Sequence, residues 1–300
     1  MKLLKLVLVV ALMLLVMPQA MAGTYTIDGD LSDWGLGKLY TDDWSLNETW
    51  LPLPSSNITF VVEDNADPRY ANNNPYAIGV HIKGIGSYYE AYEEPLLVNV
   101  NDGTKTIAPT GGPAGNPDYY DLEAMYVDEN DTMIFVAIVI SSQSLDWGDL
   151  ALDLDGDGMY EYGVKLSNVP GGVSQVGIYK TPTADCWVPA WYMAPEDGPF
   201  IVKINMSNPS VTLNGTAVVA YNNSGIYDYG GTNYFVEIAI PKDAVGMSGK
   251  RLPDPPLPKK IYFPENCGND SGGIVIPEFP ALLIPLGVIL GTIYFFRRGK

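Results

Sequence analysis

The stretch from Gly148 to Leu166, GDLALDLDGDGMYEYGVKL, restricts the fold more than any other part of this chain. Leu150, Leu152 and Leu154 alternate with Asp149, Ala151 and Asp153, the period of two that marks a half-buried strand. In a second strand Tyr160, Tyr162, Val164 and Leu166 alternate with Met159, Glu161, Gly163 and Lys165. Requiring the two apolar sets to share one face fixes the register. A three-residue loop, Gly156-Asp157-Gly158, sets Leu154 against Tyr160, Leu152 against Tyr162 and Leu150 against Val164, with Gly158 in the left-handed position such a loop needs. A two-residue loop would oppose Leu152 to Glu161 and is rejected.

On the other face this register opposes Asp153 to Glu161, with Asp155 and Asp157 in or beside the loop. Like charges directly opposite one another destabilise a strand pair unless a cation lies between them. Hard oxygen ligands from a short loop suit Ca²⁺, so Asp153, Asp155, Asp157 and Glu161 are the candidate metal ligands and calcium the candidate cofactor. Asp and Gly also dominate ordinary solvated hairpin tips, which is the plainer reading. The D-x-D-x-D-G spacing matches the start of a helix-loop-helix calcium loop. Its twelfth position, however, is Val164 where a bidentate Glu is required, and the flanks are strands.

The ends of the chain predict export. Lys2 and Lys5, an apolar run from Leu6 to Met17 and the exit Ala20-Met21-Ala22 have the form of a secretory signal peptide over residues 1–22. A folded ectodomain is expected over 23–270 and a short linker over 271–276. Residues 277–300 hold Pro277, Glu278, Phe279 and Pro280, an apolar run from Ala281 to Phe296, and the basic end Arg297-Arg298-Gly299-Lys300. That run reads as a transmembrane segment, short for a permanent span, whose basic end stays on the cytoplasmic side and leaves the body outside. This tail resembles the PEF-CTERM sorting signal of archaeal surface proteins. The resemblance implies an archaeal source, an archaeosortase-type transpeptidase as partner, and a destination anchored at the cell envelope.

Without both end segments, 12 basic residues face 34 acidic ones. So acidic a body repels nucleic acid and anionic head groups. Cys186 and Cys267, the only cysteines, read as one disulfide in an exported chain. Closing so long a loop would stabilise by roughly 4–5 kcal/mol. Sequons at Asn47, Asn57, Asn130, Asn205, Asn214, Asn222 and Asn269 exceed the roughly two that chance supplies, and suggest a glycosylated exterior.

Short strand-like runs separated by Gly, Pro, Asn and Asp clusters recur through the body: Ile58–Glu63, Ala77–Ile82, Leu122–Val127, Thr132–Ile140, the central hairpin, Val173–Tyr179, Phe200–Asn205, Thr216–Tyr221 and Tyr234–Ile240. Thr132–Ile140 is almost continuously apolar and is expected to be a central strand covered on both faces. Successive hairpins without intervening helices predict an all-β protein, an antiparallel β-sandwich of sheets packed face to face.

Four pieces carry a second resemblance: Ile27-Asp-Gly-Asp-Leu-Ser-Asp-Trp34, the hairpin from Leu122 to Val136, the acidic hairpin, and Asn233 to Gly246 with its Glu-Ile-Ala-Ile-Pro core. In order and character they resemble the DOMON-like sandwich that includes the family-nine carbohydrate-binding modules. That family's sugar-binding members clamp a sugar between Trp rings and hold structural calcium. The local counterpart here is Cys186-Trp-Val-Pro-Ala-Trp-Tyr192, so Trp187, Trp191 and Tyr192 are the candidate ligand-binding residues; a core plug around the disulfide is the other reading. Other DOMON-like members bind haem, but the single histidine, His81, cannot supply a bis-His site.

No nucleophile motif with its base occurs, one histidine cannot build a hydrolytic metal cluster, and Gly111–Gly115 lacks the Lys and helix of a phosphate loop. The expectation is a non-catalytic surface protein, structural or adhesive, stabilised by calcium, with other copies of itself as a candidate partner. The alternative is a displayed carbohydrate-binding module that captures polysaccharide on the aromatic loop.

Overall fold

The computed structural model describes residues 24–36, 58–64, 78–85, 88–95, 122–189, 201–228, 231–255, 258–264 and 271–276. The expected signal peptide, the expected sorting tail with Pro277, Glu278, Phe279 and Pro280, and the residues Trp191, Tyr192 and Cys267 lie outside them. The described residues are mostly strand. Fourteen strands occur in order: β1 (Thr59–Asp64), β2 (Ile78–Ile85), β3 (Tyr88–Pro95), β4 (Leu122–Glu129), β5 (Met133–Ile140), β6 (Leu150–Asp153), β7 (Tyr162–Val164), β8 (Gly172–Lys180), β9 (Trp187–Pro189), β10 (Ile201–Ile204), β11 (Thr212–Asp228), β12 (Gly231–Pro241), β13 (Lys259–Pro264) and β14 (Ser271–Ile276).

Twelve of these strands form one antiparallel sheet in the order β14-β13-β6-β7-β8-β11-β12-β5-β4-β1-β2-β3. The expected pair of separate sheets packed face to face is therefore replaced by one hydrogen-bonded sheet. Strand twist curls it until β14, at one edge, lies against β4 and β1 near the other, leaving the sheet nearly closed. β9 and β10 form a separate two-stranded ribbon.

The alternation in β5 shows how one strand serves two cores. Ile134, Val136, Ile138 and Ile140 enter the interior of the curled sheet, with Leu150, Leu152, Leu154, Val236, Ile238, Ile261 and Ile274. Phe135, Ala137 and Val139 point the other way. β5 pairs with β4 on one side and β12 on the other, so it is central and covered on both faces, as its unbroken apolar run implies.

Two caps cover the outer face. The first is residues 24–36, which close over β12, β5, β4 and β1 with Leu31, Trp34 and Leu36. Their 3-10 helix, Leu31–Trp34, starts where the Asp30 side chain accepts from Ser32 N and stops at Gly35 in the left-handed conformation. The second is the β9–β10 ribbon, which packs Trp187 and Ile204 with Tyr160 onto Ala151 and Tyr262, on the outer side of β6 and β13. This second cap explains why β6 is buried throughout and not half-buried as its alternation suggests.

Residues 271–276, expected as a linker, are strand β14, paired with β13 along its length and burying Ile274 and Ile276. The folded body thus reaches residue 276. Gly272 and Gly273 suggest a linker by composition. A Cβ on Gly272, however, would come within 2.4 Å of the Leu122 side chain, so the glycine permits close packing of β14 on β4.

Candidate metal centre

The acidic hairpin has the register that shared apolar faces require: Leu150 opposes Val164 and Leu152 opposes Tyr162. Beyond this point the backbone ladder ends and carboxylates take over its donors. Asp153 accepts Gly156 N at 2.7 Å and Gly158 N at 3.0 Å, one on each oxygen. Glu161 Oε2 accepts Leu154 N at 2.9 Å, Asp155 accepts Asp157 N, and Asp157 accepts Met159 N. Gly158 is left-handed as expected, at φ 88°, and Gly156 is too, at φ 75°. The connection is therefore wider than a three-residue loop. Tyr160 also leaves the expected apolar face and packs with Trp187 and Tyr262 under the ribbon.

This wrapping gathers the four predicted carboxylates. Asp153, Asp155, Asp157 and Glu161 each present an oxygen, all within 4.8 Å of one another. Asp153 is buried, Glu161 half-buried, and Asp155 and Asp157 exposed. Glu161 Oε1 is buried and accepts no hydrogen bond among the described residues. Burial, then the charges of Asp155 and Asp153, push the Glu161 carboxyl up to about 7. Burial likewise raises Asp153 against its two backbone donors.

The donor set is all carboxylate, without imidazole or thiolate, and suits a hard cation over Zn²⁺. Opposite oxygens around Ca²⁺ stand about 4.6–5.2 Å apart, twice its usual ligand distance. The span of the cluster fits one such ion. The exposed side of Asp155 and Asp157 leaves room for water to complete the six to eight ligands that calcium takes.

The other predicted site residues separate. Trp187 is buried, packs edge-on to Tyr160 and donates its indole N–H to Tyr160 O at 3.2 Å. Its ring is covered and cannot stack on a sugar, which corrects the expectation for this residue; Trp191 and Tyr192 lie outside the described residues. Cys186 is fully buried as a free thiol, with Sγ 3.3 Å from Thr183 Oγ1, and its expected partner Cys267 is not among the described residues. His81 lies in β2, opposite Glu63 of β1 and Tyr92 of β3.

Of the sequons, Asn205, Asn214 and Asn222 each donate the side-chain amide to a backbone carbonyl, those of Asp185, Ala244 and Asp28. Asn130 closes the β4–β5 turn by accepting Thr132 N and Met133 N. Asn47, Asn57 and Asn269 lie outside the described residues.

Among the described residues, buried carboxylates besides Asp153 escaped the sequence reading, three of them with their partners in view. Asp149, fully buried, accepts Leu166 N, Ser167 N and Ile204 N and pairs with Lys165 Nζ at 2.9 Å, which ties the hairpin to the ribbon. Glu129 holds Lys242 Nζ at 2.6 Å, Arg251 Nε at 3.2 Å and Leu252 N at 2.9 Å. Glu237, fully buried, accepts Trp34 Nε1 at 2.8 Å, Gly29 N at 2.7 Å and Asp28 N at 3.0 Å. The signal available for Glu237 was a lone charge inside the apolar run from Tyr234 to Ile240. Trp34 and Glu237, 203 positions apart in the chain, thus meet in space.

No protein-family model matches the chain, and neither a curated protein nor a solved structure shows significant similarity to it.

Proposed function

We propose that this is a non-catalytic surface protein, exported and anchored through its PEF-type tail, with a structural or adhesive role and a calcium-stiffened hairpin tip. The observation that carries the metal part is the set of four carboxylate oxygens within 4.8 Å at the end of β6 and β7. A cation there offsets the repulsion among Asp153, Asp155, Asp157 and Glu161 and supplies the partner that Glu161 Oε1 lacks. The acidic body, the sequons and the two end segments support display outside the cell. Burial of Trp187 takes one ring out of the carbohydrate-binding alternative.

The test is calcium titration of the chelator-treated protein, following melting temperature and light scattering together, alongside protease accessibility on intact cells. A higher melting temperature with calcium and cleavage from the outside support the reading; growth in size with calcium adds bridging between copies. No calcium response removes the metal centre, and protection on intact cells removes the surface placement.

A further inference from the structure

β11 carries a bulge at Asn214. Leu213 pairs with Tyr179 of β8 and Gly215 with the adjacent Ile178, so Asn214 is the extra residue between them. On its other side β11 meets β12 from Val218 onward, beyond the bulge. Asn214 is exposed, and its side-chain amide donates to Ala244 O at 2.7 Å. That bond ties the bulge to the 3-10 helix Lys242–Val245, which has no side-chain cap at Pro241. This helix and the turn after it carry Val245 and Met247 into the interior of the curled sheet.

Gly215 serves the same junction. A Cβ there would come within 2.7 Å of Ala244 Cβ, so the missing side chain lets the helix lie close to β11. The same glycine makes the preceding asparagine reactive. A backbone nitrogen that follows Asn can attack the Asn side-chain carbonyl, and a glycine nitrogen is the least hindered. Asn214-Gly215 is the one Asn-Gly pair in the sequence; every other asparagine precedes a residue with a side chain. Close packing and chemical reactivity therefore meet at one position.

We propose that Asn214 is a deamidation site whose conversion loosens the helix Lys242–Val245 from β11. The Gly215 nitrogen gives its proton to a solvent base and bonds to Asn214 Cγ. The Cγ–Nδ2 bond breaks, and the nitrogen leaves as ammonia with a proton from solvent, closing a succinimide ring. Water opens that ring at either carbonyl, to aspartate or to isoaspartate, and no oxidant or reductant takes part. Exposure of Asn214 and its place outside the ladder give the chain the freedom that ring closure needs. Both products lose the N–H donor to Ala244 O, because an ionised carboxylate only accepts hydrogen bonds. Isoaspartate also lengthens the backbone at the bulge. A glycan on Asn214, expected from its sequon, occupies the leaving nitrogen and blocks the step.

The test uses the full chain made without glycans, so its outcome does not depend on the export reading above. After days at pH 8, peptide mapping is expected to find the mass gain of amide-to-acid conversion, with isoaspartate, at Asn214 ahead of every other asparagine. Conversion is expected to be slower at pH 6, where less of the Gly215 nitrogen is deprotonated. Hydrogen-exchange mass spectrometry before and after is expected to show opening over 242–249 rising about fivefold, the weight of one hydrogen bond. Asn214→Asp is expected to show the raised exchange from the start. Asn214→Gln, which keeps a donor but closes the ring poorly, is expected to stay constant with time. An Asn214 amide that persists, or converts no sooner than the other asparagines, overturns the proposal. So does conversion that leaves exchange over 242–249 unchanged, whether or not either variant folds.

Discussion

Glu129 shows what a single buried charge does in this protein. Lys242 is almost wholly buried, with its ammonium held between the Glu129 carboxylate and Lys250 O. Glu129→Gln leaves that ammonium in the interior without its counter-charge, and is expected to cost about 3–5 kcal/mol, read as a drop in the denaturation midpoint. Trp187 supplies a second test at this scale. Its ring sits against Gly163 and Tyr160, so Trp187→Ala opens a cavity and is expected to cost about 3–5 kcal/mol in stability. A Trp187→Ala protein of unchanged stability that loses polysaccharide binding would reverse that assignment. The role of Glu129 was not visible in the sequence, whereas for Trp187 a core plug stood beside the ligand-binding reading. Their partners, Lys242, Gly163 and Tyr160, lie 113, 24 and 27 positions away, and composition does not record such pairings.

Among the elements, those with strong local patterns were legible. The β6–β7 register followed from period two alone, because a slip by one residue would turn every leucine outward. β5 was legible because a run buried on both faces has no polar alternate. Four of the described strands escaped: β3, and three whose sequence resembles loop, since β9 has three residues and ends in Pro, β13 follows a Pro-rich stretch, and β14 begins Ser-Gly-Gly. Their strand state comes from tertiary pairing, which overrides local preference. β14 makes the difference measurable. A chain ending at residue 270 exposes the β13 edge and loses the buried Ile274 and Ile276, and is expected to be about 3–6 kcal/mol less stable than one ending at 276. Equal denaturation midpoints for the two would return residues 271–276 to the status of a linker.

At the scale of the whole molecule, the curled sheet brings its long apolar interior to one side and two buried carboxylates, Asp149 and Glu237, to the junctions with the two caps. Asp149 joins hairpin to ribbon, and Glu237 joins the N-terminal cap to the sheet. The acidic tip stands apart from these. Its carboxylates were chosen from the sequence as a group, and the fold brings all four together. That success rests on their lying within nine positions on one hairpin, so local register sufficed. The two-sheet sandwich was not legible to the same degree, because alternation reports that a face is buried but not whether the opposing strands belong to the same sheet.

Calcium binding measured by isothermal titration calorimetry, on the unaltered protein and on Glu161→Gln, addresses the central claim most directly. The Gln keeps an acceptor for Leu154 N but removes the charge, so the hairpin is retained and the cation is not. One calcium per chain is expected for the unaltered protein, bound more tightly at pH 8 than at pH 5, since protons compete for a Glu161 carboxyl raised to about 7. Binding is expected to fall by tenfold or more in the variant. No binding heat in the unaltered protein, or equal affinity in both, would contradict the account and leave Asp153 to Glu161 as a solvated hairpin tip.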